Sequence, residues 1–173
     1  MAEQRDAVDR IVREWTEIGT AVDVTPIEII GRISRLSRII DRRLADNFAE
    51  HDIESWMFDV MATLRRVGSP HELSAGELVK RTMVTTGAMT NRIDRLEKRG
   101  FVTRVPSTTD RRSVMVQLTA TGIAKVDDVS GSHYELERHL LEALPRNSHA
   151  DLQDSLRTLL ISLGDVDLGD PPT

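Results

Sequence analysis

The stretch 85-TTGAMTNRIDRLEKRGFVTR-104 decides the fold. Thr85 is a natural helix N-cap, and Met89, Ile93 and Leu96 follow at i, i+4 and i+7, which is one face of a helix. Gly100 supplies a C-terminal stop, and "FVTRV" beyond it is β-branched and strand-like. With one face committed to a core, Thr86, Gly87, Thr90, Asn91 and Arg95 fall on the outer face or its edge. Small and hydrogen-bonding side chains near a helix N-terminus suit close entry into a major groove, where Asn and Arg read base edges.

The helix is also basic, in a chain whose formal net charge is -5. From Arg81 to Arg112 eight basic residues stand against three acidic ones, a local +5, whereas from Ala120 to Thr173 four basic residues stand against ten acidic, a local -6. A charge cluster is often only a solvated face, so the surrounding pattern has to decide.

Immediately upstream, Ser74 and Glu77 make an S-x-x-E capping box that opens "AGELVKR". Two short helices separated by "TMV" read as a helix-turn-helix. Downstream, "FVTRV" and "VMVQL" flank the turn-rich "PSTTDRRS", which reads as a basic hairpin. A helix-turn-helix followed by such a hairpin is a winged helix. Within the hairpin, Arg111 and Arg112 are candidate DNA contacts, with Asp110 as support for the wing tip, because a wing arginine can enter a narrow minor groove.

The flanks are helical. Residues 4–18 place Val8, Ile11, Val12, Trp15 and Ile18 at helical spacing. Thr25, Pro26 and Glu28 predict a capping box and a long helix from 26 to about 48, with Ile29, Ile30, Ile33, Leu36, Ile40 and Leu44 as its core face. Residues 54–67 repeat the pattern through Met57, Val60, Met61 and Leu64. Thr119 is expected to cap a helix running to Leu144, and Ser148 a last helix to Leu163. The expected class is mainly α (α+β). It divides into an added N-terminal helix at 1–18, a helical dimerisation region at 26–50 and 119–163, a winged helix-turn-helix at 54–118 and a flexible tail at 164–173. The flanking helices carry more apolar surface than a small winged helix covers, so a homodimer is expected.

Other classes lose ground. There is no cysteine, hence no disulfide, thiolate nucleophile or thiol redox sensor. No phosphate loop, G-x-S-x-G or metal motif occurs, so neither an enzyme nor a bound cofactor is expected. His51, His71, His133, His139 and His149 lack an i, i+4 pair, so no metal site is assigned. No membrane span or signal peptide is indicated, and a cytoplasmic location is expected.

Residues 72–122, "ELSAGELVKRTMVTTGAMTNRIDRLEKRGFVTRVPSTTDRRSVMVQLTATG", resemble the DNA-binding core of the multiple antibiotic resistance regulator (MarR) family. The wing pattern is present as Asp110, Arg112, Leu118, Thr119 and Gly122, and the similarity extends over roughly residues 26–163. The resemblance implies a homodimeric, ligand-sensitive repressor of double-stranded DNA. The opening helix is similar to that of the urate-responsive subgroup. That likeness implies a small-molecule effector, urate or a related purine, associated with Trp15, Asp59, Arg92 and Arg104. Read without the family, Trp15 is core or dimer packing, Asp59 a surface charge or a partner for Arg65 or Arg66, and Arg92 a phosphate contact or a partner for Asp94 or Glu97. A sensor of aromatic acids, drugs or metal, or a winged-helix module that binds protein, is the alternative reading.

Overall fold

The computed structural model describes residues 5–82, 84–107 and 114–166, so Asp110, Arg111 and Arg112 lie outside the described residues. The chain forms two compact units, Met1–Leu136 and Glu137–Thr173. Its elements are α1 (Ala7–Glu17), α2 (Pro26–Glu50), α3 (Ser55–Arg66), β1 (Glu72–Ser74), α4 (Ala75–Thr82), α5 (Thr86–Lys98), β2 (Val102–Pro106), β3 (Val114–Leu118), α6 (Ala120–Leu140) and α7 (His149–Ser162).

The first unit is built around α3. Met57, Phe58, Val60, Met61, Ala62, Thr63 and Leu64 are all buried, so this helix is enclosed on nearly every side. Phe48, Ile53, Leu73, Leu78 of α4, Met89, Ile93 and Leu96 of α5, Phe101, Val102, Val116, Leu118, Val126 and Val129 complete the core. Caps place α4 and α5 as expected. Ser74 Oγ accepts from the Glu77 amide, and the Glu77 carboxylate accepts from the Ser74 amide at 2.8 Å. Thr85 caps α5 through the Ala88 amide. Gly100, at φ 72°, ends α5 in the left-handed conformation, with the Phe101 amide returning to the Leu96 carbonyl.

The sheet has three antiparallel strands in the order β1-β3-β2, with Leu73 and Arg104 both opposite Val116. β1 was not expected. Three residues are too few to show alternation, and the strand exists because β3 offers it an edge.

Four helix boundaries or faces differ from expectation. Thr25 does not cap α2: it is already in the helical region, and its hydroxyl and amide both donate to Asp23 Oδ1. The Asp23 turn captures the residue that the capping box needed. The expected core face of α2 is only partly covered by its own chain, with Ile29, Ile30 and Leu36 more than half exposed and Phe48 the one fully buried residue. α6 stops at Leu140 rather than Leu144, because the following amides bond to i-3 carbonyls and tighten into turns before Pro145. Ser148 does not cap α7; its hydroxyl donates to the Pro145 carbonyl at 2.7 Å.

At the other end Asp6 and Asp9 form a full capping box that opens α1. α1 packs on α2 through Val8, which sits over Gly31, where a Cβ would come within 3.3 Å of Val8. The glycine lets the two helices approach. Arg32 of α2 then binds both caps, Asp6 at 2.8 Å and Asp9 at 2.7 Å. In the second unit α7 buries none of its residues, and Leu152, Leu156, Leu160 and Ile161 are exposed.

Candidate nucleic-acid interface and effector site

α5 presents three surfaces besides its buried stripe, and each has a different role. At 3.6 residues per turn, Gly87, Asn91, Asp94 and Lys98 lie opposite Met89, Ile93 and Leu96. They are exposed, as are Thr85, Thr86 and Thr90 at the helix start. The two flanks are occupied by ion pairs.

On the wing side, Arg104 of β2 donates to Asp94 at 2.6 Å and to Glu97, and its amide reaches Glu97 at 3.2 Å. This strand arginine therefore fastens the wing root to α5. It was expected at the ligand, but both of its acidic partners belong to α5. Asp94 and Glu97, the local partners expected for Arg92, are bound by Arg104 on this flank instead.

On the other flank, Arg92, Arg95 and Arg99 recur at i, i+3 and i+7 and meet the acidic start of α3. Arg99 donates to Asp52 at 2.6 Å. Arg95 is bound to Glu54 and lies over the Trp56 ring, 4.7 Å from its centroid. Arg92 lies 5.6 Å from the same centroid and within electrostatic reach of Asp59. The basic helix of an acidic chain is thus largely neutralised at its flanks by residues far away in sequence. Among the described residues, Lys98 is the cation of α5 with neither an ion pair nor an aromatic ring beside it.

Asp59 is half-buried on α3, and among the described residues no hydrogen bond to its carboxylate offsets the burial. Burial pushes its pKa above the ordinary carboxylate value, while Arg92 and Arg66 pull it down. Arg65 is not its partner, because Arg65 forms a two-point pair with Asp127 of α6 at 2.9 and 3.1 Å. Of the four residues associated with an effector, the structure brings together Asp59 and Arg92. Trp15, 47% exposed on α1, and Arg104, held on the wing side, are not among their partners. The aromatic ring beside Arg92 is Trp56.

The sequence reading missed Glu54 and Lys98, and it set Trp56 against Trp15 as a second tryptophan competing for the same role at the effector. A signal was available: acids at 52, 54 and 59 stand against arginines at 92, 95 and 99, and Lys98 lies seven residues after Asn91 on the same face. Among the described residues no group of three or more His, Asp or Glu could hold a metal ion, and no helix is long and apolar enough to cross a membrane.

A model of the MarR family matches residues 57–114, from α3 to the start of β3. The chain is 38% identical over 146 residues to the HTH-type transcriptional regulator PecS of Dickeya dadantii, covering 84% of this chain and 88% of that one. It is 27% identical over 123 residues to the HTH-type transcriptional repressor YetL of Bacillus subtilis, covering 71% and 73%. Among solved structures, a cysteine-to-serine mutant of E. coli MarR complexed with operator DNA superposes with a TM-score of 0.69 at 29% identity, covering 80% of this chain and 99% of that one.

Proposed function

The chain belongs to the MarR family of DNA-binding transcriptional regulators, and from that premise we propose that it is a homodimeric repressor released from a pseudo-palindromic operator by a small planar anion such as urate or a related purine. The observation that carries the ligand-coupled part is the half-buried, hydrogen-bond-poor Asp59 held in electrostatic register with Arg92 of α5. One helix carries the acid and the other meets the DNA.

In this reading Thr85, Thr86, Gly87, Thr90, Asn91 and Arg95 face the major groove, joined by Lys98, and Arg111 and Arg112 of the wing contact the backbone or minor groove with Asp110 in support. That the E. coli protein of the same fold is complexed with operator DNA supports DNA as the partner, and the exposed polar outer face of α5 supports it as the entering helix. The repressor sign follows the name of the Bacillus relative. A second copy of the chain would cover the α2 residues Ile29, Ile30 and Leu36 and the α7 residues Leu152, Leu156 and Leu160, each of which is apolar and open in a single chain.

The effector step is electrostatic. An anionic purine pairs with the Arg92 guanidinium and stacks on Trp15, whose exposed ring on α1 has to be brought to the ligand on binding because Trp56 is the ring beside Arg92 in the single chain. Its charge then lies near the Asp59 carboxylate, and two anions at short range either separate or share a proton. Displacing Asp59 moves α3, and α3 is joined to α5 through Glu54 and Trp56. Arg104 transmits the same movement to the wing. A 100-fold loss of DNA affinity requires the ligand to prefer the released state by about 2.7 kcal/mol.

The test is urate-driven release of DNA from the native protein, Asp59→Asn, Arg92→Ala and Trp15→Phe. Arg92→Ala and Trp15→Phe should weaken urate binding. Asp59→Asn should bind urate yet blunt release. Three variants that respond like the native protein would remove the pocket from this account.

A further inference from the structure

Arg95 is held by two groups of the neighbouring helix, and those groups hold each other. Its guanidinium carbon lies 4.7 Å from the centroid of the Trp56 ring, and its Nη2 donates to Glu54 Oε1. The second oxygen of Glu54 accepts from Trp56 Nε1 at 2.7 Å. The three side chains close a ring of contacts.

Glu54 occupies the N-cap position of α3, where a side-chain oxygen commonly accepts from the helix amides, yet it makes no such bond. Both of its oxygens are turned to the indole and the guanidinium instead. The bond from Trp56, with Arg95 and Arg99 behind it, holds the carboxyl below its ordinary value, so it is charged at neutral pH.

The geometry leaves part of Arg95 unused. The Trp56 ring against its guanidinium carbon and the carboxylate on Nη2 hold the Arg95 head group at two points. Neither of these two contacts takes up the Nε and Nη1 donors. Arg95 is half-exposed at the edge of the outer face of α5, one turn beyond Asn91. A planar fork with a fixed orientation matches guanine O6 and N7, whereas a freely turning arginine meets phosphate oxygens as readily.

We propose that Glu54 and Trp56 are positioning residues that present Arg95 as a guanine-reading side chain, so that preference at one base pair of each half-site depends on two residues that do not touch DNA. The proposal rests on the DNA-reading role of α5. Holding the long side chain in place before binding removes part of the ordering cost of the contact.

The test selects duplexes from a random pool with the full-length native protein, Glu54→Gln, Trp56→Phe, Arg95→Ala and the double variant Glu54→Gln/Arg95→Ala. The native protein should prefer guanine at one position per half-site, and Arg95→Ala should lose about tenfold of that preference. Glu54→Gln and Trp56→Phe should lose most of it at the same position, with the other positions and the salt dependence unchanged. The double variant should be no worse than Arg95→Ala. The inference is overturned if Glu54→Gln keeps the preference, or if either variant weakens all positions evenly, which is the mark of a merely structural role. It is also overturned if Glu54→Gln binds every sequence more tightly with a salt slope steeper by about one phosphate, because Glu54 would then be withholding Arg95 from the backbone. A native protein that selects no sequence at all would reject the DNA-reading role of α5 itself.

Discussion

Gly122 and Gly131 lie on the same helix, α6, and should respond oppositely to the same substitution. A Cβ built on Gly122 falls 2.0 Å from the Phe101 carbonyl oxygen, 2.9 Å from its carbon and 3.0 Å from Leu118 Cδ2. Ordinary contact requires a shift of more than about 1 Å, and the atom in the way is backbone. That carbonyl also accepts the Thr119 amide at 3.0 Å and the Thr119 hydroxyl at 3.2 Å, so the shift strains the junction between β2 and α6. Overpacking costs about 1–3 kcal/mol. Loss of the two hydrogen bonds adds about 1 kcal/mol each. The helix preference of alanine returns about 1 kcal/mol. Gly122→Ala should therefore destabilise by roughly 2–4 kcal/mol, a sum of these estimates. A Cβ built on Gly131 meets nothing within 4 Å beyond its own stretch of helix among the described residues, so Gly131→Ala keeps only the favourable helix contribution of up to about 1 kcal/mol. Equilibrium urea unfolding of both variants and the native chain at one protein concentration reads the difference. If Gly122→Ala unfolds within about 1 kcal/mol of Gly131→Ala, the close approach of α6 to Phe101 is wrong, and with it the placement of the wing root.

Further outcomes follow from the charges and the apolar faces. Because burial raises the folded-state pKa of Asp59, the native chain keeps that proton to higher pH than the unfolded chain, and stability falls as pH rises through that window. Asp59→Asn should raise the thermal midpoint at pH 7 and change it less near pH 3; a difference that does not vary with pH contradicts the burial argument. Removing residues 148–173 should shift the protein from dimer toward monomer or aggregate in light scattering, since α7 carries Leu152, Leu156 and Leu160 as exposed apolar residues, and an intact dimer would move the interface elsewhere. Arg112→Ala should flatten the salt dependence of DNA binding by about one unit of slope if it neutralises one phosphate. Inserting about five base pairs between half-sites should abolish binding by turning them to opposite sides of the duplex, and undiminished affinity would refute a two-lobed reader.

Features set by neighbours in the chain were legible from the sequence alone. The buried stripe Met89, Ile93 and Leu96, the Ser74 and Glu77 box and the Gly100 stop all formed as their spacing implied, because each depends on contacts within one or two helical turns. Even locally, competition could reverse the outcome, as Asp23 did at Thr25. Periodicity also marked the stripe on α2 as apolar, but it carries no information on whether the same chain covers it, and Ile29, Ile30 and Leu36 remained open. The identity of each arginine's partner was decided only in three dimensions. Arg95 and Glu54 are 41 residues apart, and Arg99 and Asp52 are 47 apart. Residue order states that these charges exist and on which helix face they lie. Coulomb attraction acts through space, so only the packing of α5 against α3 and β2 determined which guanidinium is neutralised, which is held over an indole, and which face of α5 is left open.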